Sequence, residues 1–398
     1  MLFRTKGFLP YLIIVFINAF IDLGHKIIVQ NTVFKIYDGQ QQIILTAIVN
    51  ALILLPFILL LTPAGYCSDK FPKNKVMTLT SFKVVILTLF ITLFYYLGWF
   101  WPAFAMTFLL AVQSAFYSPA KYGFIKELVQ EKELAKANGV VQAVTTIAIL
   151  AGIFAFSIIF EALLMEKHYE YTNDLLMLIA PAGWLLVGFA ILQFLIARLL
   201  PKKKETNLAL RFDWHKYRSG DYLKNNMKDV FQIKLIYLCI FGLALFWAIS
   251  QVMLASFPAY AKDALSIENT IIIQGSMACA GIGIMLGAII AGQISKDKIE
   301  TCLLPFAVIG IALCLLILPY LPSAIFQAIN FLVWGICGGL LLTPYNALIQ
   351  YHAPEKELGR ILAGNNFIQN ITMLLFLIMT VTFAVMGMGS EGLFIILL

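Results

Sequence analysis

Residues 8–34 read FLPYLIIVFINAFIDLGHKIIVQNTVF, and this stretch decides the fold. As a helix it is long enough to cross the roughly 30 Å hydrocarbon layer of a bilayer. Yet it carries Asp22 and Lys26 near its middle. An ionised side chain at the bilayer centre costs roughly 2.5–3.5 kcal/mol on insertion scales. A carboxylate four residues before an ammonium lies on the same side of a helix, so the spacing predicts that Asp22 and Lys26 offset each other. Asn18, His25 and Gln30 extend the polar stripe. A spanning helix with so much polarity on one face must point it at water, at protein, or at something being moved.

The rest of the chain repeats the apolar half of this pattern. It has 398 residues, is 61% hydrophobic and only 12% charged, with a mean hydropathy of +0.89. Soluble domains carry about 25% charged residues, so the composition excludes a soluble enzyme and predicts a multi-spanning, all-α membrane protein. Apolar runs of spanning length fall at 8–34, 42–64, 76–97, 102–120, 139–164, 176–199, 233–260, 270–294, 301–319, 323–350 and 361–387. A twelfth begins near Leu393 and reaches only Leu398, so the last helix is expected to be truncated. Lys and Arg concentrate in alternate gaps, from Arg4 and Lys6 through Lys70, Lys73 and Lys75 to Lys356 and Arg360. The opposite gaps hold only Lys35, Lys167 and Lys262. The positive-inside rule then places the N-terminus in the cytoplasm.

The net charge of +7 is thus a topology signal, and no basic patch interleaved with aromatics suggests nucleic acid. The first run is too long, and lacks the small-residue cleavage site, for a signal peptide. Six scattered cysteines show no paired or metal-type spacing and read as small packing residues. No HExxH, GxSxG or Walker pattern is present, so no cofactor, metal or catalytic residue is expected in this segment.

The longest polar interruption suggests a six-helix bundle over 1–199, a cytoplasmic linker over 200–232, and a second bundle over 233–398. The linker opens with PKKKE, suited to anionic lipid, and 211–229 reads as a surface helix or a plain tether. The halves echo each other. AGYCSDK (64–70) follows the second run and AGQISKD (291–297) the eighth; YSPAKYG (117–123) in the fourth corresponds to LTPYNA (342–347) in the tenth. Twelve helices in two parallel repeats describe the major facilitator architecture.

Gly65-x-x-x-Asp69-Lys70-x-x-Lys73 is similar to the loop signature of that architecture between its second and third helices, with Pro72 where the pattern has its second glycine and Lys for Arg. It reads as a conformational latch, with Gly65 permitting close helix approach and Asp69 capping a neighbouring helix, or as a solvated basic turn. Lys83, two turns into the third run, either snorkels or lines the cavity. Lys121 either lines the cavity past a Ser118–Pro119 kink or is loop charge. Amides cluster at Gln142 in the fifth run and at Asn365, Asn366, Gln369 and Asn370 in the eleventh; interhelical bonding and cavity lining both fit. Gly283-x-x-x-Gly287 in the eighth reads as a close-packing face.

Three segments together resemble one family, the bacterial lysophospholipid transporters: FINAFID (16–22), AFYSPAKYG (115–123) with KANG (136–139), and PYNALIQ (344–350). The chain also looks like the transporter half of fusions with a lysophospholipid acyltransferase and an acyl-carrier-protein ligase. The resemblance implies a flippase of the bacterial inner membrane. It would move lysophosphatidylethanolamine-like lipids from the outer to the inner leaflet for reacylation, with a cytoplasmic acyltransferase as functional or covalent partner. It implies path roles for Asp22 and Lys121. Family members place further charges in the seventh and eleventh helices; here those stretches hold Gln251, Gln369 and Asn370 instead. Competing readings are an exporter of drugs or other amphiphiles, or a membrane anchor for a fused acyltransferase.

Overall fold

The computed structural model describes residues 5–129, 134–201, 212–294, 300–353 and 358–396. In chain order the helices are α1 Phe8–Ile36, α2 Gly39–Leu59, α3 Leu61–Lys70, α4 Lys73–Tyr96, α5 Phe100–Leu128, α6 Leu134–Leu164, α7 Thr172–Ile179 and α8 Pro181–Ala197. Then follow α9 Trp214–Arg218, α10 Asp221–Gln232, α11 Lys234–Asp263, α12 Thr270–Ile294, α13 Leu303–Ile317, α14 Ala324–His352, α15 Leu358–Val385 and α16 Ser390–Ile396. Among the described residues ten are long and apolar enough to cross a membrane, and α7 with α8, taken as one broken span, bring the number to eleven. The all-α membrane architecture is the expected one.

Prolines set where spans depart from their expected limits. The run at 42–64 ends as a helix at Leu59, and α3 restarts with Pro63 in its first turn. There a missing N–H forfeits no helical hydrogen bond, so Ala64–Lys70, expected as a loop, is helical. The run at 176–199 breaks at Ala180, bends by 51°, and resumes with Pro181 as the first residue of α8. Upstream, the Asp174 carboxylate accepts the Tyr171 N–H at 3.4 Å and fixes the start of α7.

The chain forms two compact units: Met1–Thr32 with Leu55–Asp213, and Val33–Leu54 with Trp214–Leu398. The first has a core of Phe8, Tyr11, Met77, Phe124 and Leu128. In the second, Phe246 stacks on Trp334 with ring centroids 4.9 Å apart, and Phe257 meets Phe331 edge-on at 4.7 Å. The GxxxG expectation holds here. A Cβ on Gly283 or Gly287 would strike the carbonyls of Leu332 and Ile336, and one on Gly335 or Gly339 would strike those of Ala280 and Ile284. α12 and α14 therefore meet backbone to backbone through reciprocal glycine pairs.

Residues 33–54 join the second unit for electrostatic and apolar reasons. Lys262 pairs with Asp38 at 2.5 Å and donates to the Phe34 carbonyl at 3.0 Å. Lys35 reaches the Glu268 carbonyl at 3.0 Å. Below them Ile43 packs with Ala259, Ala384 and Leu393. The expected linker is partly packed as well: α10 buries Val230 and Met227 against the second unit's core, while α9 buries nothing.

Candidate functional site

The polar stripe of α1 is built into the first unit by donors from α5 and α8. Asn18 donates to Asp22 Oδ2 at 3.0 Å across one helical turn. Ser114 on α5 donates to the same oxygen. Gln193 on α8 spans two helices, donating to Asn18 Oδ1 and to Ser81 Oγ of α4 at 3.1 Å each. Gln113 reaches Asn18 Oδ1 at 3.5 Å and accepts from Ser114 at 3.2 Å. One carboxylate thus sits at the end of a chain of neutral amides and hydroxyls drawn from four helices. Networks of this kind are costly when half-satisfied, and three atoms here stay unsatisfied: Asp22 Oδ1, Gln193 Oε1 and the Tyr117 hydroxyl one turn past Ser114 have no hydrogen-bond partner among the described residues.

The expected Asp22–Lys26 pairing is corrected by this geometry. Asp22 turns to Asn18 and Ser114, whose short side chains bring neutral donors to it, and no ion pair joins it to Lys26 among the described residues. Both residues remain partly accessible in mid-span. Lys121 lies near enough for its charge to act on Asp22, and its ammonium stands 4.5 Å over the Tyr122 ring. The helix carrying it, α5, runs unbroken through Pro119.

His25 of the polar stripe, open to a path role or to packing as an imidazole, is not accessible. It is fully buried, held by the Tyr95 hydroxyl at 2.7 Å and Thr107 at 3.3 Å, a packed imidazole inside the unit. Gln142 is exposed on α6. In the second unit, Gln251 of α11 contacts Met373 Sδ at 3.7 Å. The α15 amides turn inward on their own helix: Gln369 donates to Asn365 at 2.7 Å and Asn370 to the Asn366 carbonyl at 2.7 Å. Of the two readings open for them, interhelical bonding has no support in these contacts.

Among the latch residues, a Cβ on Gly65 would meet nothing within 4 Å among the described residues. Lys70 donates to Tyr66 at 2.9 Å within α3. Lys73 pairs with Glu127 at the far end of α5 at 2.9 Å, where its stem covers Gly123. The Asp69 side chain lies outside the described residues, as do those of Lys136, Asn138 and Gln350.

Sequence reasoning missed Ser114, Gln113 and Gln193. Ser114 directly precedes the quoted AFYSPAKYG segment, and Gln193 is the lone amide in the otherwise apolar PAGWLLVGFAILQFLIA of α8. An isolated amide in such a helix is the signal that would have found it.

Residues 11–377 match the family described as Major Facilitator Superfamily, and the chain belongs to it. Among curated relatives it is similar to a protein of Photorhabdus laumondii named Lysophospholipid transporter LplT, 28% identical over 381 residues that span 94% of this chain and 87% of the relative. A protein of the same name from Serratia proteamaculans is 27% identical over 345 residues, 85% of this chain and 78% of the relative. Among solved structures, the inward-open xylose transporter XylE of E. coli superposes with a TM-score of 0.68 at 13% identity, covering 98% of this chain and 93% of that one. A POT family transporter with a bound peptide conjugate gives the same score at 13% identity, with 99% and 94% covered. At these identities the solved structures speak to the fold alone.

Proposed function

We propose that this chain carries lysophospholipids across a bacterial inner membrane, from the outer to the inner leaflet, by alternating access, and so supplies them for reacylation. The relatives' names support the substrate class. The observation that carries the reading on this chain is the Asp22 carboxylate, kept in mid-span with Oδ1 unpartnered and Lys121 close by. A carboxylate with one unpartnered oxygen, once reached, accepts from an ammonium, and a neighbouring lysine offers a point charge to a phosphate. Those are the two charged groups of a zwitterionic ethanolamine headgroup. The Lys and Arg distribution supports a cytoplasmic N-terminus, which would deliver the lipid to a cytoplasmic acyltransferase.

Uptake of labelled lysophosphatidylethanolamine into reconstituted vesicles tests this. Asp22→Ala is expected to lower uptake about 100-fold, on the order of 2.7 kcal/mol, while chromatographic behaviour stays that of the parent. Lys121→Gln is expected to lose about tenfold. A monodisperse Asp22→Ala protein that transports at the parent rate would overturn the reading. Competition by cationic amphiphiles without a phosphate, as strong as by the lysolipid, would favour a general amphiphile exporter.

A further inference from the structure

A second feature of the first unit lies on the flank of α4, away from the Asp22 carboxylate but joined to it by one residue. α4 and α5 each present a stripe at helical spacing: Leu79, Thr80 and Ile86 from the first, Leu109, Val112 and Phe116 from the second. Between them runs an open groove in two stretches of about 380 and 240 Å³, which share Thr80, Lys83 and Phe116. Lys75 and Cys67 stand at one end, and Gln113 forms part of the wall at the other. Lys83 is exposed at the junction, about 15 Å along α4 from its first residue by the helical rise. No carboxylate pairs with it or with Lys75 among the described residues. The Cys67 thiol, pushed up by burial, is pulled back down by the Lys83 and Lys70 ammoniums, which sets the Lys83 charge beside Cys67.

An ammonium held at membrane depth without a counter-ion, inside an apolar trough, is complementary to an anion carrying a hydrocarbon tail. We propose that this groove is a lateral docking site for a single-chain phospholipid, its phosphate on Lys83 and Lys75 and its acyl chain along the Leu79–Ile86 and Leu109–Phe116 stripes. The larger stretch is at the low end of the roughly 300–1,000 Å³ range of small-molecule sites. Gln113 connects the trough to the interior, because the same side chain that walls it also bonds Asn18 and Ser114, the two donors to Asp22. The groove is thus a waiting position from which a headgroup reaches the Asp22 cluster. This rests on the lysophospholipid reading above.

Cys67 supplies the readout. The full chain, with its other five cysteines replaced by alanine or serine, is purified in a phosphate-free detergent and alkylated with N-ethylmaleimide. Palmitoyl lysophosphatidylethanolamine is expected to slow alkylation, and Lys83→Gln to weaken that protection about tenfold, one charge-assisted contact, with Lys83→Arg restoring it. Palmitoylglycerol, which lacks the phosphate, and dipalmitoyl phosphatidylethanolamine, which has a second chain, are expected to protect at least about tenfold less well. Equal protection by either, or undiminished protection in Lys83→Gln, overturns the proposal. Asp22→Ala separates the two readings: protection retained with uptake lost supports a groove distinct from the carboxylate. Uptake intact in the parent with no protection of Cys67 removes the groove and leaves the transport reading standing.

Discussion

The two units hold their helices together by different means. In the first, side chains cross between helices: Gln193 ties α8 to α1 and α4, and Ser114 ties α5 to α1. In the second, α12 and α14 touch through Gly283, Gly287, Gly335 and Gly339, and the α15 amides bond to their own helix. Lipid tails are as apolar as leucine, so helices in a bilayer associate by close packing or by polar contacts. The second unit uses polar contacts too, Asn330 of α14 donating to the Cys314 carbonyl of α13 at 3.0 Å, but its α12–α14 seam is made by glycine. The polar scheme leaves an acid with one buried oxygen unpartnered among the described residues; the glycine scheme gives a tight, chemically plain face.

The largest test of that contrast is Gly287→Leu. Its side chain would meet the Ile336 carbonyl, which cannot swing away, so stability in mixed-micelle unfolding is expected to fall by about 3 kcal/mol. The same change at Gly65, which faces open space, is expected to stay within about 0.5 kcal/mol. Equal losses at both would erase the distinction. Next is Gln193→Leu, expected to cost about 0.6–1.7 kcal/mol. A double-mutant cycle with Asn18→Leu should give a coupling of about 0.5 kcal/mol or more, and additivity would mean that the network does not cross helices. Lys262→Met removes a pair whose Asp38 side chain is 73% exposed and is expected to cost about 0.2–1 kcal/mol, with high salt narrowing the difference. Smallest is Asn370→Ala, whose intrahelical bond should change stability by less than about 0.5 kcal/mol; a larger loss would bring the second unit closer to the first.

Much of the fold could be read directly because the solvent imposes it. A run of about 20 apolar residues has one stable form in a bilayer, a helix that satisfies its own backbone. The GxxxG face was equally readable, since a missing side chain at one helical spacing means close approach wherever it occurs. The site was only half legible. Asp22 stood out by its cost in hydrocarbon, but charge spacing suggested the wrong partner, Lys26, because a one-dimensional pattern cannot weigh a neutral donor arriving from α5. Nor could its place on the stripe decide between a path role and a packed imidazole for His25, because Tyr95 and Thr107, which hold it, come from other helices.

Sequence by itself determined the membrane, the helices and the acid in the middle of the first one, because each follows from the local free energy of putting a residue in oil. Tertiary structure alone decided which neighbours that acid has, that Lys73 chooses Glu127, and that residues 33–54 pack with the second unit, where Asp38 meets Lys262. These are contacts between residues far apart in the chain, and their energies depend on distance and burial, which exist only once the helices are packed.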